Sequence, residues 1–260
     1  MGLAREAEYP ETPVTEARSP PPPERSIGSS GLKGEGDSAR LPGSRPKGDK
    51  PELGVKSVVQ LKCPYTNARS MGNKQEELEA MVQQQSYNVV AITETWWDES
   101  HSWSTALDGY KLFRRDRKGR RGRGVALYIK KAFDAIGIEI NADGVECLWV
   151  RIKGKANKAD ILLGVCYRPP NQEEEVQNLF YKQLENVSGS SALVLVGDFN
   201  LPDICWELNT AEKRQSRKFL ECMEDNFLSQ LVGEPTRGRT MLDLLFANRD
   251  GLGQDVVVGD

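Results

Sequence analysis

Apolar residues in this chain fall into short runs separated by polar and glycine-containing stretches, and two periods alternate along it. Continuous or every-other-residue runs predict strands at 55–61, 88–93, 110–113, 124–129, 136–140, 146–152, 161–167, 192–196 and 240–246, with a short last one at 255–258. Spacings of three and four predict amphipathic helices at 73–85, 173–187 and 214–228. Leu78, Met81 and Val82 share a face of the first, Val176, Leu179, Phe180 and Leu184 of the second, and Phe219, Leu220, Met223 and Phe227 of the third. Many strands with three helices to cover sheet faces predict a layered α/β architecture with two packed sheets. No internal repeat interrupts this order.

Residues 1–55 break the pattern. They hold nine of the fourteen prolines, including the run Pro20-Pro21-Pro22-Pro23, and few apolar residues. Such a segment cannot bury enough apolar surface to offset the entropy of ordering it, so 1–55 reads as a disordered leader. A proline-rich ligand for another domain is the alternative, though no repeated P-x-x-P pattern with a fixed basic flank stands out. Residues 56–260 read as one globular domain.

Net charge is −3, so a nucleic-acid partner has to be held by local basic patches. Five scattered cysteines (Cys63, Cys147, Cys166, Cys205, Cys222), never spaced C-x-x-C, argue against a disulfide framework and a zinc site. The start carries no signal pattern, and no apolar run approaches the ~18–20 residues that span a bilayer. The expectation is an intracellular, reduced protein without a membrane partner. His101 is the only histidine and sits in a polar stretch, where a surface position is the default.

Chemistry gathers at strand ends. Gly197-Asp198-Phe199-Asn200 follows the buried-strand pattern 192–196 and delivers a carboxylate and a carboxamide, two residues apart, to a sheet rim. In extended chain those two side chains point the same way, a pairing suited to a phosphate, a metal or an attacking water. A simple strand-ending turn is the alternative. Glu94 ends the run 89–93, where pairing with a nearby arginine is the plainer reading. Asn67 follows Gln60-Leu61-Lys62-Cys63. Asp243 lies inside Met241-Leu242-Asp243-Leu244-Leu245-Phe246, and a carboxylate there needs a partner or a metal. Residues 111–123 hold eight basic residues in thirteen, Arg120 and Arg121 among them. They suit a phosphate surface with salt-dependent binding, or a solvated hairpin loop. Arg69 and Arg168 ride on site-bearing segments and are better placed to touch a phosphate. Trp96, Trp97, Trp103 and Trp206 read as packing residues, Trp97 beside Glu94 being the candidate for base stacking. Residues 236–240 read as an exposed turn, or a DNA-contacting hairpin.

These motifs together resemble a known family. Asn67-Ala68-Arg69-Ser70, Ile92-Thr93-Glu94-Thr95-Trp96-Trp97, Gly164-Val165-Cys166-Tyr167-Arg168-Pro169-Pro170, Gly197-Asp198-Phe199-Asn200 and Leu242-Asp243-Leu244 have the order and spacing of the endonuclease/exonuclease/phosphatase superfamily. Within it the chain is most similar to endonuclease domains of non-LTR (LINE-type) retrotransposons of the chicken-repeat clade, over residues 53–260. The resemblance implies a four-layered α/β/β/α sandwich that hydrolyses a DNA phosphodiester with Mg²⁺. It implies that Glu94 is the metal ligand and that Asp198 orients the attacking water. Asn67 and Asn200 would hold the phosphate, ligand or water, Tyr167 would donate to developing charge, and Asp243 would orient a histidine.

One departure stands out. The family closes its site with a Ser-Asp-His motif on a strand beyond the position of Asp243, and no histidine follows His101 here. The expectation is therefore a domain that lacks its last strand or strands and is nearly inactive, since residues acting as a unit are strongly non-additive. Four functions stay open: a nicking DNA endonuclease working in the nucleus, a catalytically dead nucleic-acid-binding remnant, a small-molecule or lipid phosphatase, and a chain without a cellular role.

Overall fold

The computed structural model describes residues 60–97, 105–116, 123–140, 144–156, 158–249, 252 and 256. Along the chain run β1 (Tyr65–Asn67), α1 (Gln75–Gln85), β2 (Val89–Thr93), β3 (Tyr110–Arg115), β4 (Val125–Lys130), β5 (Ala135–Ile138), β6 (Glu146–Ile152) and β7 (Ile161–Tyr167). There follow α2 (Glu174–Ser188), β8 (Leu193–Asp198), β9 (Ile204–Cys205), β10 (Thr210–Ala211), α3 (Arg214–Asp225), β11 (Ser229–Gln230) and β12 (Asp243–Ala247).

Two large sheets result. The first has the order β1-β2-β4-β3 and the second β11-β12-β8-β7-β6-β5, while β9 and β10 form a small hairpin. Among the described residues, only β1 with β2 and β7 with β8 pair in parallel. Parallel neighbours need a crossover, and the intervening α1 and α2 supply one in each sheet.

Strand alternation sorts side chains into layers. Val125, Leu127 and Ile129 of β4 face Val150, Ile152, Leu163 and Val165 of the second sheet, in a core between the sheets. The other face of β4, with Ala126 and Tyr128, packs under Leu78 and Val82 of α1. The outer face of the second sheet, with Trp149, Leu193, Leu195 and Phe246, is covered by Phe180 and Leu184 of α2 and by Phe219, Leu220 and Met223 of α3. The order of layers is α/β/β/α, the architecture the resemblance implied.

Helix ends follow ordinary chemistry. Glu174 and Glu175 occupy the first turn of α2, where the helix dipole favours negative charge. Ser86, in the left-handed conformation at φ 53°, ends α1 and donates its backbone N–H to the Val82 carbonyl.

Three features differ from the expected strand pattern: β1, the start of β12, and the two-residue strands. Of the strand expected at 55–61, only residues 60 and 61 lie among the described residues, and these two are not in a strand; β1 at 65–67 was not expected. Pro64 has no N–H to give a ladder, and its carbonyl alone engages, accepting from Ala91 N at 3.0 Å. The strand expected from residue 240 begins only at Asp243, because 236–242 is spent on a turn. The two-residue strands β9, β10 and β11 were not predicted, since they are too short for a period to register. The leader 1–55 and the strand expected at 255–258 lie outside the described residues, Val256 excepted. Among the described residues, no helix is long and apolar enough to cross a membrane.

Candidate active site

Register lines the candidate side chains into two rows. In the second sheet Glu146 pairs with Tyr167, Tyr167 with Asp198, and Asp198 with Asp243. Residues directly opposite one another share a face, so four strands present one polar row at the sheet end. In the first sheet Asn67 pairs with Thr93 and Thr93 with Val125, and Glu94 follows Thr93 at once.

The rows are joined by hydrogen bonds from sheet to sheet. The Asn67 carboxamide donates to Glu94 Oε1 at 2.9 Å and to Asp198 Oδ2 at 2.8 Å. Its own Oδ1 is fixed by the Arg69 backbone N–H at 3.1 Å. The Tyr65 hydroxyl donates to Asp243 Oδ1 at 2.7 Å and lies 3.0 Å from Thr93 Oγ1. Arg123 reaches Glu146 at 3.4 Å and lies over the Tyr167 ring, 5.8 Å from its centroid.

Backbone geometry supports this meeting. Ala68, Ser70 and Met71 donate their N–H groups to the carbonyls of Thr93, Glu94 and Thr95 at 2.9, 2.9 and 3.0 Å, zipping the loop after β1 to the loop after β2. Arg69, Ser70, Glu94, Trp96, Arg123 and Asn200 all have positive φ, between 47° and 105°. Such conformations are costly for residues with a Cβ and gather where geometry matters more than local comfort. Gly197 is needed for another reason: a Cβ there would lie 1.8 Å from the Cys166 carbonyl oxygen of the neighbouring strand.

Asp198 is fully buried, and Asp243 keeps 13% of its side chain exposed. Burial, then the nearby Asp243 charge, pushes Asp198 up to about 6, against the pull of Arg237 and Asn67. Its ionised form is therefore a base poised near neutrality. Burial, then Glu94 and Asp198, pushes the Tyr167 phenol up to about 12, so it is a hydrogen-bond donor at neutral pH. Burial, then Asp243, likewise holds the Tyr65 hydroxyl well above its ordinary range.

Asn67, Glu94, Tyr167, Asp198 and Asp243 thus come together. Arg69 is exposed at the rim beside Asn67. Three expectations change. Asn200 does not continue an extended chain from Asp198, because at φ 47° it turns away. Its amide donates to the Arg168 carbonyl at 2.9 Å, and its backbone N–H to Asp198 Oδ1 at 3.2 Å, which makes it a support for Asp198. Arg168 is 7% exposed and does not face a phosphate. Its guanidinium is spent on the carbonyls of Pro169, Phe199 and Asn200 and on the side chains of Gln177 and Gln215, beneath the site. Trp96, read as a packing residue, is instead 45% exposed, whereas Trp97 packs as read, buried edge-on against Tyr128, so any stacking surface beside Glu94 belongs to Trp96. Arg120, Arg121, His101 and Trp103 lie outside the described residues.

Arg237 and Tyr65 were missed as site residues. Arg237 donates to Asp198 Oδ2 at 2.8 Å and to Asp243 Oδ2 at 3.2 Å. Residues 236–240 are therefore no plain exposed turn. The proximity of Arg237 to Asp243, six residues on, was the available signal. Tyr65 carried none, being 178 residues from the carboxylate it serves.

Glu94 is half-buried, and its Oε2 has no protein partner among the described residues. Nor do three or more His, Cys, Asp or Glu side chains gather as a metal cage among the described residues. A lone hard-oxygen carboxylate fits Mg²⁺, which keeps several waters and binds through one or two carboxylates plus substrate phosphate.

Comparison with known proteins agrees with the fold. Similar folds include the endonuclease domain of TRAS1, a telomere-specific non-LTR retrotransposon, at 17% identity and TM-score 0.57, covering 72% of this chain and 84% of that one. The AP endonuclease LMAP from Leishmania major is similar at 14% identity and TM-score 0.57, covering 72% and 78%. The 3′ phosphatase NExo from Neisseria, bound to product DNA hairpin, is similar at 12% identity and TM-score 0.52, covering 72% and 86%. No curated protein sequence matches the chain. The model of the Endonuclease/Exonuclease/phosphatase family matches residues 59–260, and with more than half of its length matched the chain belongs to that family.

Proposed function

We propose that this chain is a DNA endonuclease of the apurinic/apyrimidinic-like, retrotransposon-derived kind, hydrolysing a phosphodiester with Mg²⁺. One observation carries the reading: a single carboxamide, Asn67, holds Glu94 and Asp198 together from opposite sheets. A carboxylate free to take a cation and a carboxylate able to act as a base are thereby fixed beside each other. Asp198 orients and deprotonates the attacking water, and Tyr167 donates to charge developing on the phosphate. Glu94 would hold Mg²⁺, which when bound supplies positive charge to the phosphate oxygens. Enzymes of this family are generally divalent-metal dependent. The likeness to an AP endonuclease, to a retrotransposon endonuclease domain and to an enzyme bound to DNA favours a nucleic-acid substrate. A genomic substrate would be met in the nucleus.

The test is nicking of supercoiled plasmid with Mg²⁺, against Glu94→Gln and Asp198→Ala. Nicking by the wild type and its loss in both variants supports the reading. A second reading, DNA binding without turnover, is favoured by Arg237, which pairs with Asp243 where the resemblance implied an imidazole and also engages Asp198. Salt-dependent DNA binding with no nicking at any Mg²⁺ concentration would replace the first reading by the second.

A further inference from the structure

We propose that Arg237 is the phosphate-anchoring cation of this site: the Asp198–Asp243 pair holds its guanidinium ready to engage a phosphate oxygen of the nucleic-acid backbone. The proposal rests on the endonuclease reading and adds to it a residue that the sequence motifs did not supply.

The backbone sets the arginine before any ion pair does. Thr236 Oγ1 accepts from the N–H groups of Leu242 and Asp243, both at 3.1 Å, bolting the turn to the start of β12. Arg237 and Thr240 exchange backbone hydrogen bonds, each at 3.0 Å, and Gly238 at φ 60° lets the chain reverse between them. The guanidinium then meets its carboxylates in one orientation. Nη2 goes to Asp198 at 2.8 Å and Nε to Asp243 at 3.2 Å. A guanidinium has five N–H donors in a rigid plane. The Nη1 edge has no protein acceptor among the described residues, and the side chain keeps 26% of its surface in solvent. A planar fork with one edge fixed and another open suits a phosphate oxygen.

Charge balance points the same way. Glu94, Asp198 and Asp243 together would repel a phosphodiester. Among the described residues, Arg237 is the cation in direct contact with both Asp198 and Asp243. Burial opposes its charge, but Asp198 and Asp243 outweigh that and push its pKa up. It therefore acts as a fixed charge and does not shuttle protons.

The test uses the full chain with Arg237→Gln and Arg237→Lys, and two readouts. The first is binding to a duplex oligonucleotide in EDTA across a series of NaCl concentrations. Loss of one phosphate contact lowers the slope of log K against log salt by about one. That loss is expected in Arg237→Gln, while Arg237→Lys keeps the slope. The second is Mg²⁺-dependent nicking, where kcat is expected to fall about 10²-fold in Arg237→Gln with a smaller change in KM. Arg237→Lys, with charge but no fork, should recover part of it. If Arg237→Gln fails to fold, a Lys variant that nicks as well as wild type overturns the proposal. Folded variants with lower melting temperatures but unchanged slope and kcat would also overturn it, leaving Arg237 a strut. A wild type that binds DNA without nicking removes the endonuclease reading, and the slope still decides whether Arg237 meets phosphate.

Discussion

Asp198 is the residue on which the proposed chemistry depends most, and its environment fixes a pH dependence. Its carboxyl sits at about 6 in the folded protein, above the roughly 4 of an exposed aspartate. Between those values the folded state holds a proton that the unfolded state has released. The stability from this group is full below about pH 4 and fades as pH rises through about 6. Activity runs the other way, because the ionised form is the base: nicking should rise through a limb near pH 6. Asp198→Asn should abolish nicking and also remove the fall in melting temperature over the same interval. A rate flat from pH 5 to 8 would separate Asp198 from the chemistry. Asn67 makes the second prediction. Asn67→Ala leaves Glu94 and Asp198 facing each other without the donor that joins them, and should reduce nicking by about 10²-fold. Its stability cost should be about 1–3 kcal/mol, read by urea denaturation. Glu94 and Asp198 were legible because each is polar where an apolar strand ends, and Asp243 because it is a carboxylate within an apolar run; Asn67, on the polar strand β1, was named by the family resemblance. Arg168 misled for a physical reason: proximity in sequence to Tyr167 says nothing of which way a side chain points across a strand. Asn200 misled because spacing of two implies a shared face only while φ stays extended.

At the scale of elements, the site is a product of register. Glu146, Tyr167, Asp198 and Asp243 form a row only while β6, β7, β8 and β12 keep their pairing, and a slip of one residue would turn each side chain to the opposite face. Gly197 guards that register, since any Cβ there strikes the Cys166 carbonyl of β7. Gly197→Ala should therefore force β7 and β8 apart, costing roughly 2–4 kcal/mol in chemical denaturation. The folded fraction should also lose activity, because Tyr167 and Asp198 no longer sit abreast. A fully active, fully stable Gly197→Ala variant would show that the row is not required. Most strands and all three helices could be read from periodicity, because their buried faces are long enough for a repeat to register. The start of β12 could not: apolar Met241 and Leu242 precede it in a turn fixed by the Thr236 side chain, a constraint with no signature in the apolar period.

For the whole molecule, function depends on two sheets holding their distance. The hydrogen bonds that assemble the site run from one sheet to the other, from Asn67 to Asp198 and from Tyr65 to Asp243. The layered architecture was legible from the number of strands and the helices between them, but the pairing of these side chains was not, since it depends on how the sheets stack. Damage should therefore matter by location as well as by size. Leu127 is buried between the sheets, while Leu184 is buried between α2 and the outer face of the second sheet. Cutting either to alanine removes the same atoms and should cost about 2–5 kcal/mol. Relaxation around Leu127 changes the spacing of the sheets that carry Glu94 and Asp198, whereas relaxation around Leu184 moves a helix behind one sheet and leaves the rows facing. At a temperature where both variants are folded, Leu127→Ala should lose more kcat in plasmid nicking than Leu184→Ala, by about tenfold if the misplacement approaches 1 Å. Equal losses at equal stability would mean that the cleft is held by its own hydrogen bonds and not by the core beneath it.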